Sequence, residues 1–237
     1  MKFEAILFDV TGTTVREKNP NTMLSCFANA FRDHGFDLDV DFIRKNRGND
    51  NKKMIAMILN HFGQPDSLVT PIYESFKKHL RNNLENFEPN EGANELFSFL
   101  KSITTKIGLG TGMERELLYD LLKKLNWDIS LFDYIACGDD FDFQRPMPDM
   151  IFGMMKKFGI AKGADVLKVG DTVMDIREGK NAFVKTCAVL SGTQSEDVIL
   201  NEEPDLLVES LVNLRNYLED LYFGSTKPSV SSVTKRD

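Results

Sequence analysis

The sequence predicts an α/β protein in which a doubly wound parallel sheet carries an inserted block of helices. Residues 5–8 form an apolar run that ends at Asp9, and continuous apolar runs are typical of buried parallel strands. From residue 93 onward, patterns typical of helices and strands alternate, which predicts right-handed crossovers between parallel strands. Between these two stretches, residues 16–88 show only the periodicity of helices.

The predicted elements follow in chain order. After a polar linker at residues 16–21, apolar residues recur on one helix face, as at Met23, Phe27 and Phe31. The inserted block is predicted to contain helices at residues 23–34, 40–46, 50–62 and 68–84, and residues 87–92 form the return linker. The sheet region is predicted to contain strands at 106–110, 134–137, 166–169 and 186–190 and helices at 93–102, 115–125, 149–158, 174–182 and 207–221.

The length of 237 residues suits one large domain or a core with an insertion. We expect residues 1–15 and 89–222 to form the core domain and residues 16–88 to form a second, helical domain. Residues 223–237 are rich in serine and poor in apolar side chains. We therefore expect this tail to be disordered.

Composition narrows the class of protein. The net charge of -7 argues against a general affinity for nucleic acid or for an anionic membrane. The three cysteines are odd in number and widely spaced, which favours a reducing compartment. We find neither a signal-like segment nor an apolar run of membrane-spanning length. We expect a cytoplasmic protein, monomeric or homodimeric, that acts on a small molecule.

Polar residues follow the first strand, at the sheet edge where α/β proteins usually bind ligands. Asp9 is followed by Thr11, Gly12 and Thr13. Gly12 permits a sharp turn, and the hydroxyl and amide groups of the threonines suit the binding of an oxyanion. On this stretch alone, Asp9 is equally well explained as the cap of a following helix.

Three later stretches carry similar residues. Thr111 and Gly112 follow a strand, Arg145 precedes a helix, and Asp171 and Asp175 follow another strand. Each has an ordinary structural explanation as well. A Thr-Gly pair is common in turns, an arginine before proline is often a surface residue, and two acids can cap a helix N-terminus.

Taken in order, these residues resemble the four motifs of the haloacid dehalogenase superfamily. The motifs are an Asp nucleophile in D-x-x-G-T, a Ser or Thr after the second strand, a Lys or Arg, and paired acids after the fourth strand. The resemblance implies a Rossmann-like core, with residues 16–88 as the C1 cap that closes over the nucleophile. An ordinary helical subdomain that does not move is the alternative for this segment.

The resemblance also implies phosphoryl transfer through an aspartyl-phosphate at Asp9, with Mg²⁺ as the cofactor. Asp9, Asp171 and the main-chain carbonyl of Thr11 are implied as ligands of the ion. Asp175 is implied to touch the ion or its waters. Oxygen ligands of this kind are the ones that Mg²⁺ requires.

The same resemblance assigns phosphate binding to Gly12, Thr13, Thr111 and Gly112. Arg145 is implied as the fixed cation, because Arg-Pro-x-Pro stands where most members carry Lys-Pro-x-Pro. Lys168 is a less favoured substitute, since alternation along a buried strand can point it elsewhere.

Thr11 departs from the usual pattern. Most phosphatases of the superfamily carry a second Asp there, which protonates the leaving oxygen and later activates water, and threonine does neither at neutral pH. The phosphonoacetaldehyde hydrolase-like branch also lacks this Asp. Residues 170–182, the Thr111-Gly112-Met113 stretch and Arg145-Pro146 resemble that branch.

That branch uses a cap lysine, three residues after a glycine, to form a Schiff base. After Gly48 this position holds Asn51, and Lys52 and Lys53 follow it. Rotation by about 100° per helical residue aims both lysines away from the direction of Asn51. Lys52 is kept as a substrate-binding candidate, with a solvated helix face as the alternative for both lysines.

The first functional hypothesis is therefore a Mg²⁺-dependent hydrolase that releases phosphate from a small phosphorylated or phosphonate metabolite. A dehalogenase is a second enzymatic hypothesis, but that chemistry needs no Mg²⁺, so the Asp171 and Asp175 pair argues against it. The rival from another class is a binding protein that retains the phosphate site, with Thr11 marking lost turnover.

Overall fold

The structure is a computed structural model and describes residues 2–38, 43–44, 50–143, 145–192, 194–224 and 234–235. Its strands are β1 (Ala5–Asp9), β2 (Val15–Glu17), β3 (Phe87–Pro89), β4 (Lys106–Gly110), β5 (Tyr134–Ala136), β6 (Val166–Gly170), β7 (Lys185–Val189), β8 (Leu206–Val208) and β9 (Thr234–Lys235). Its helices are α1 (Thr22–Arg32), α2 (Asn51–His61), α3 (Val69–Asn82), α4 (Ala93–Ser102), α5 (Arg115–Lys124), α6 (Asp149–Phe158), α7 (Val173–Asn181), α8 (Glu196–Leu200) and α9 (Leu211–Phe223).

The central sheet has seven strands in the order β5-β4-β1-β6-β7-β8-β9. Every neighbouring pair is parallel except β8 and β9. β1 lies between β4 and β6, and Asp9 pairs in register with Gly110. The predicted doubly wound parallel sheet is confirmed, and the carboxyl ends of β1, β4 and β6 meet at one edge of it.

Apolar side chains explain why these segments fold as they do. All five residues of β1 are buried, as expected for a strand covered on both faces. Phe8 packs edge-on against Phe97 of α4, with ring centroids 5.6 Å apart. In the inserted helical segment, residues 16–88, for which we use the name cap, Phe27 of α1 stacks on Phe76 of α3 at 4.0 Å. Full burial of such a side chain contributes about 1.5–3 kcal/mol.

The two linkers predicted between core and cap are partly ordered as strands. β2 and β3 pair antiparallel, with Val15 opposite Pro89. Arg16 forms an ion pair with Glu88 at 2.8 Å across this ribbon. The chain therefore enters and leaves the cap side by side.

Three sequence expectations differ from the structure or fall outside the described residues. The helix predicted from residue 207 begins at Leu211, because Leu206–Val208 form β8. The helix predicted at 40–46 lies outside the described residues except for Ile43 and Arg44, which are helical. Of the tail predicted to be disordered, Phe223 ends α9 and Thr234–Lys235 form β9, while 225–233 and 236–237 lie outside the described residues.

None of the described helices combines the length and the apolar character needed to cross a membrane.

Candidate active site

Asp9 lies at the carboxyl end of β1 and is only 5% exposed. The chain turns tightly after it, because the carbonyl of Val10 accepts the amides of Thr14 and Val15 at 2.9 and 2.8 Å. Thr14 Oγ1 also donates to the Asp9 carbonyl at 3.0 Å. These bonds fix the position of the Asp9 side chain above the sheet edge.

Gly12 occupies a position in this turn that other residues do not fit. Its φ is 101°, in the region that favours glycine. A Cβ there would overlap the carboxylate of Asp171. Thr13 Oγ1 in turn donates to Asp171 Oδ1 at 2.9 Å. The first loop therefore places the acid that follows β6 next to Asp9.

Arg145 joins two of the acids. Its Nη1 donates to Asp9 Oδ1 and to Asp175 Oδ1, each at 2.7 Å. The guanidinium is 5% exposed. The structure thus brings Arg145 to the place that the sequence resemblance implied for the fixed cation.

Lys168 is a second cation in the same cluster, and it is fully buried. Its Nζ lies 3.0 Å from Asp175 Oδ1 and 3.1 Å from Glu178 Oε2. Glu178 was not among the residues singled out in the sequence. The sequence does contain a pattern that indicates Glu178. A lysine lies inside an otherwise apolar strand and an acid lies on the next helix, and a buried lysine requires an acidic partner.

Asp175 is held on several sides at the start of α7. Thr172 Oγ1 donates to its Oδ2 at 2.6 Å, and the two residues form a capping box. Burial raises the pKa of this carboxyl, but Lys168, Arg145 and Thr172 together hold the pKa below its ordinary value. Asp175 therefore caps α7 and also lies in one acidic cluster with Asp9 and Asp171.

The pKa of Asp9 is shifted in the opposite direction. Burial and the charge of Asp175 raise it, and the charges of Arg145 and Lys168 only partly offset this. The cluster contains four buried acids, namely Asp9, Asp171, Asp175 and Glu178, and two buried cations, Arg145 and Lys168. The acids therefore outnumber the cations by two.

This excess of negative charge suits a divalent cation. Carboxylate oxygens of Asp9, Asp171 and Asp175 all lie within 4.8 Å of one another, and all three residues are buried. Oxygen ligands are the type that Mg²⁺ requires. The donor set therefore fits the ion that the resemblance implies.

Thr111 reaches the same edge from the end of β4. It is 3% exposed, and its amide donates to the carbonyl of Ala136 at 3.0 Å. Its Oγ1 accepts from the Met113 amide at 3.2 Å. Because the hydroxyl acts as an acceptor there, its own proton can be donated to an oxygen in the cavity.

A cavity of about 60 Å³ lies above Asp9, between core and cap. Its core side is formed by Asp9, Thr11, Thr111, Gly112, Met113, Arg145, Thr172 and Asp175. Its cap side is formed by Met23, Leu24, Phe27, Ile43, Asn51 and Met54. Thr11 Oγ1 is buried without a hydrogen-bond partner. The helical cap thus covers the residue that the sequence resemblance implied as the nucleophile.

Lys52 does not line this cavity. It is exposed at the start of α2, and its Nζ lies 6.0 Å from the centroid of the Tyr73 ring. Lys53 is also exposed, whereas Asn51 is buried and faces the cavity. The sequence expectation that Lys52 binds substrate is not supported by this placement, because α2 begins at Asn51 and turns the next residues toward solvent.

Asp50 was also missed in the sequence. It is the only buried acid among the described residues of the cap. One oxygen accepts the Lys53 amide at 2.8 Å and caps α2. A Cβ on Gly138 of the core would lie 2.8 Å from the other oxygen. Burial raises the pKa of Asp50, and hydrogen bonds from the amides of Lys53 and Lys52 only partly offset this rise.

Comparison with known proteins agrees with this geometry. The family model for haloacid dehalogenase-like hydrolases matches residues 6–189. The phosphonoacetaldehyde hydrolase of Bacillus thuringiensis subsp. konkukian (strain 97-27) is 30% identical over 233 residues, covering 91% of this chain and 88% of that protein.

Solved structures show the same fold. A hydrolase from Pseudomonas syringae matches with a TM-score of 0.82 at 20% identity, covering 92% of this chain and 99% of that one. A phosphonoacetaldehyde hydrolase like protein from Oleispira antarctica matches with a TM-score of 0.81 at 19% identity, covering 93% of each chain. The resemblance carried by the four motifs is confirmed, and the chain belongs to the haloacid dehalogenase-like hydrolase family.

Proposed function

We propose that the protein is a Mg²⁺-dependent hydrolase that releases phosphate from a small phosphorylated or phosphonate metabolite through an aspartyl-phosphate on Asp9. The observation that carries this proposal is the bond from Arg145 Nη1 to Asp9 Oδ1 at 2.7 Å, in a cavity that residues of the cap line on one side. A buried carboxylate held by a fixed cation is placed to act as a nucleophile toward phosphorus.

The first step forms a bond between an Asp9 oxygen and phosphorus and breaks the bond from phosphorus to the leaving group. Arg145 and the Thr111 hydroxyl face the cavity and offer donors to the phosphoryl oxygens. In the second step water attacks the aspartyl-phosphate, which releases phosphate and restores the Asp9 carboxylate. The main-chain atoms of Gly12, Thr13 and Gly112 complete the phosphate-binding loops.

Asp9, Asp171 and the carbonyl of Thr11 would hold Mg²⁺, with Asp175 close to the ion or its waters. When bound, the ion neutralises negative charge on the phosphoryl oxygens. Ligation by Asp9 would also offset the burial and the repulsion by Asp175 that raise the pKa of this carboxyl.

Thr11 gives the leaving group no proton at neutral pH. The aspartate found at this position in most phosphatases of the superfamily is absent, and none of the described residues forms a hydrogen bond with the Thr11 hydroxyl through which a proton could be relayed. The leaving oxygen therefore takes its proton from water or from a group of the substrate or cap. A steep dependence of the rate on the acidity of the leaving alcohol is expected for this reason.

The test is a phosphate-release assay with Mg²⁺ on aryl phosphates, alkyl phosphates and phosphonoacetaldehyde. Asp9→Asn should abolish release, since an amide is not a nucleophile here. Asp197→Asn, at an exposed position on α8, is the matched control and should retain full activity. Chelation of Mg²⁺ should stop release and its return should restore it.

The binding-protein hypothesis predicts a different result. Phosphate would then bind in the presence of Mg²⁺, and no compound of the panel would be turned over by the natural sequence. Release by the natural protein that Asp9→Asn does not reduce would instead exclude Asp9 as the nucleophile.

A further inference from the structure

The cavity above Asp9 has two chemically different halves. Its core half is polar and includes Asp9, Thr111 and Arg145. Five of the six described cap residues that line it are apolar, namely Met23, Leu24, Phe27, Ile43 and Met54. The sixth is Asn51, which supplies one amide group.

The polar half matches the phosphoryl group, so the apolar half must face whatever the phosphoryl group is attached to. Among the described residues that line the cavity, Arg145 is the only one with a positive charge. Its Nη1 is already bonded to Asp9 and Asp175 on the core side. Among the described residues, a second anionic group on the substrate would thus meet an apolar wall without a countercharge, and burying an unpaired charge is strongly unfavourable.

We propose that the substrate carries its phosphoryl group on a small, uncharged and largely apolar leaving group, which packs against the cap wall formed by Met23, Leu24, Phe27, Ile43 and Met54. This proposal rests on the proposed function and narrows its substrate class. Asn51 allows one hydrogen bond to the leaving group, such as a bond to a carbonyl or hydroxyl.

The size of the cavity agrees with this class. About 60 Å³ is available in this structure, well below the roughly 300–1,000 Å³ of sites that hold drug-sized ligands. Met54 and Asn51 lie on the first turn of α2, which is capped by Asp50. This part of the cavity wall therefore lies on the capped first turn of a helix, and its side chains do not extend into solvent.

Three isosteric esters test the proposal as competitive inhibitors of aryl phosphate hydrolysis: isobutyl phosphate, phosphoglycolamide and phosphoglycolate. They share one skeleton of non-hydrogen atoms and differ in whether the far end is apolar, polar or charged. Inhibition reports binding and not the acidity of the leaving alcohol, so we expect the inhibition constant to rise in that order, with a difference on the order of 100-fold between the first and the last. Tighter inhibition by phosphoglycolate than by isobutyl phosphate overturns the proposal.

A binding experiment separates this proposal from the hydrolase function. The non-hydrolysable phosphonates 3-methylbutylphosphonate and 3-phosphonopropionate are also isosteric, and their Kd values are measured calorimetrically with Mg²⁺ present. We expect the neutral compound to bind at least about tenfold more tightly. If the neutral compound binds more tightly but no ester is turned over, the hydrolase function is excluded and the proposal that the cap wall binds an uncharged group is kept. Tighter binding of the charged compound overturns the proposal itself.

Variants on α2 place a charge on the wall. Met54→Lys should reverse the preference and favour 3-phosphonopropionate by about tenfold. Met57→Lys is the matched control, because Met57 lies on the same helix, is 37% exposed and does not line the cavity. Asn51→Lys also places a charge on the cavity wall, and it replaces a residue that is already polar. It is the alternative variant if Met54→Lys does not fold. An unchanged preference in both cavity variants would contradict the proposal.

Discussion

Arg145 and Asp9 are joined by a buried bond of 2.7 Å between Nη1 and Oδ1. The same nitrogen lies 2.7 Å from Asp175 Oδ1, so one guanidinium spans the acid after β1 and the acid in the first turn of α7. Burial and the charge of Asp175 raise the pKa of Asp9, and Arg145 is the nearest group that opposes them. Arg145 therefore both holds Asp9 in place and favours its charged form.

Replacement of Arg145 should show this dual role. Arg145→Met removes the charge that faces both acids, and we expect kcat to fall by about 10²–10³, the usual cost of losing one group that stabilises developing charge. Arg145→Lys should lose less, because it keeps the charge but cannot match the planar geometry of the guanidinium. Steady-state kinetics with an aryl phosphate measure both effects.

The matched control is Arg177→Met, at an exposed arginine of α7 that pairs with Glu202 at 2.6 Å. Its kcat should stay within about twofold of the natural protein, since surface ion pairs contribute little. Equal losses in the Arg145 and Arg177 variants would show that the effect is not specific to the site.

The buried pair of Lys168 and Glu178 should matter for stability. Lys168→Met leaves the Glu178 carboxylate buried and without its cation, and we expect a loss of about 3–5 kcal/mol in the free energy of unfolding. The double variant Lys168→Met with Glu178→Leu removes both charges and should recover more than half of this loss. Urea unfolding of the single and double variants checks the coupling, and additive losses would contradict it.

Much of the site follows from the sequence because the sheet topology is simple. Asp9 is the last residue of β1, Thr111 and Asp171 directly follow β4 and β6, and β1 lies between β4 and β6. The carboxyl ends of adjacent parallel strands meet, so residues far apart in sequence converge there. Arg145 does not follow a strand, and only the resemblance to the family indicated its role.

Other features depend on side-chain directions that the sequence leaves open. Alternation along the strand leaves the direction of Lys168 open, and the structure shows that it faces Asp175 and Glu178 from a fully buried strand. The helix predicted at 207–221 includes Leu207 and Val208, which lie in β8, because a short apolar run does not distinguish strand from helix. Lys52 lies outside the cavity because one residue of rotation at the start of α2 decides which side chain enters it.

Gly192 is predicted to control the metal site. A Cβ at this position would overlap the carboxylate of Asp171, so Gly192→Ala must displace that side chain. We expect the Mg²⁺ concentration for half-maximal activity to rise by about 10–100-fold, as when groups that orient metal ligands are changed. Ser191→Ala adds no atoms beside Asp171 and is the neighbouring control. A normal Mg²⁺ requirement in Gly192→Ala would argue against Asp171 as a ligand.

Asp50 is predicted to lower stability at neutral pH. Burial raises the pKa of its carboxyl in the folded protein, so folding disfavours the charged form. The free energy of unfolding is therefore highest below the ordinary pKa of aspartate, about 3.9, where Asp50 is protonated in both the folded and the unfolded protein. It falls as pH rises through the raised pKa of the folded state. Asp50→Asn stays neutral and caps a helix equally well, so it should melt at a higher temperature than the natural protein at pH 7.

Thermal unfolding across pH distinguishes this charge effect from the capping effect. The advantage of Asp50→Asn should disappear below about pH 4, where the natural carboxyl is protonated in both states. Asp50→Ala loses the bond to the Lys53 amide and should be about 1 kcal/mol less stable than Asp50→Asn at every pH, because both variants lack the carboxyl group. If Asp50→Asn were instead less stable at pH 7, the carboxylate would be charged in the folded protein, where the charge of Arg145 opposes the rise in its pKa.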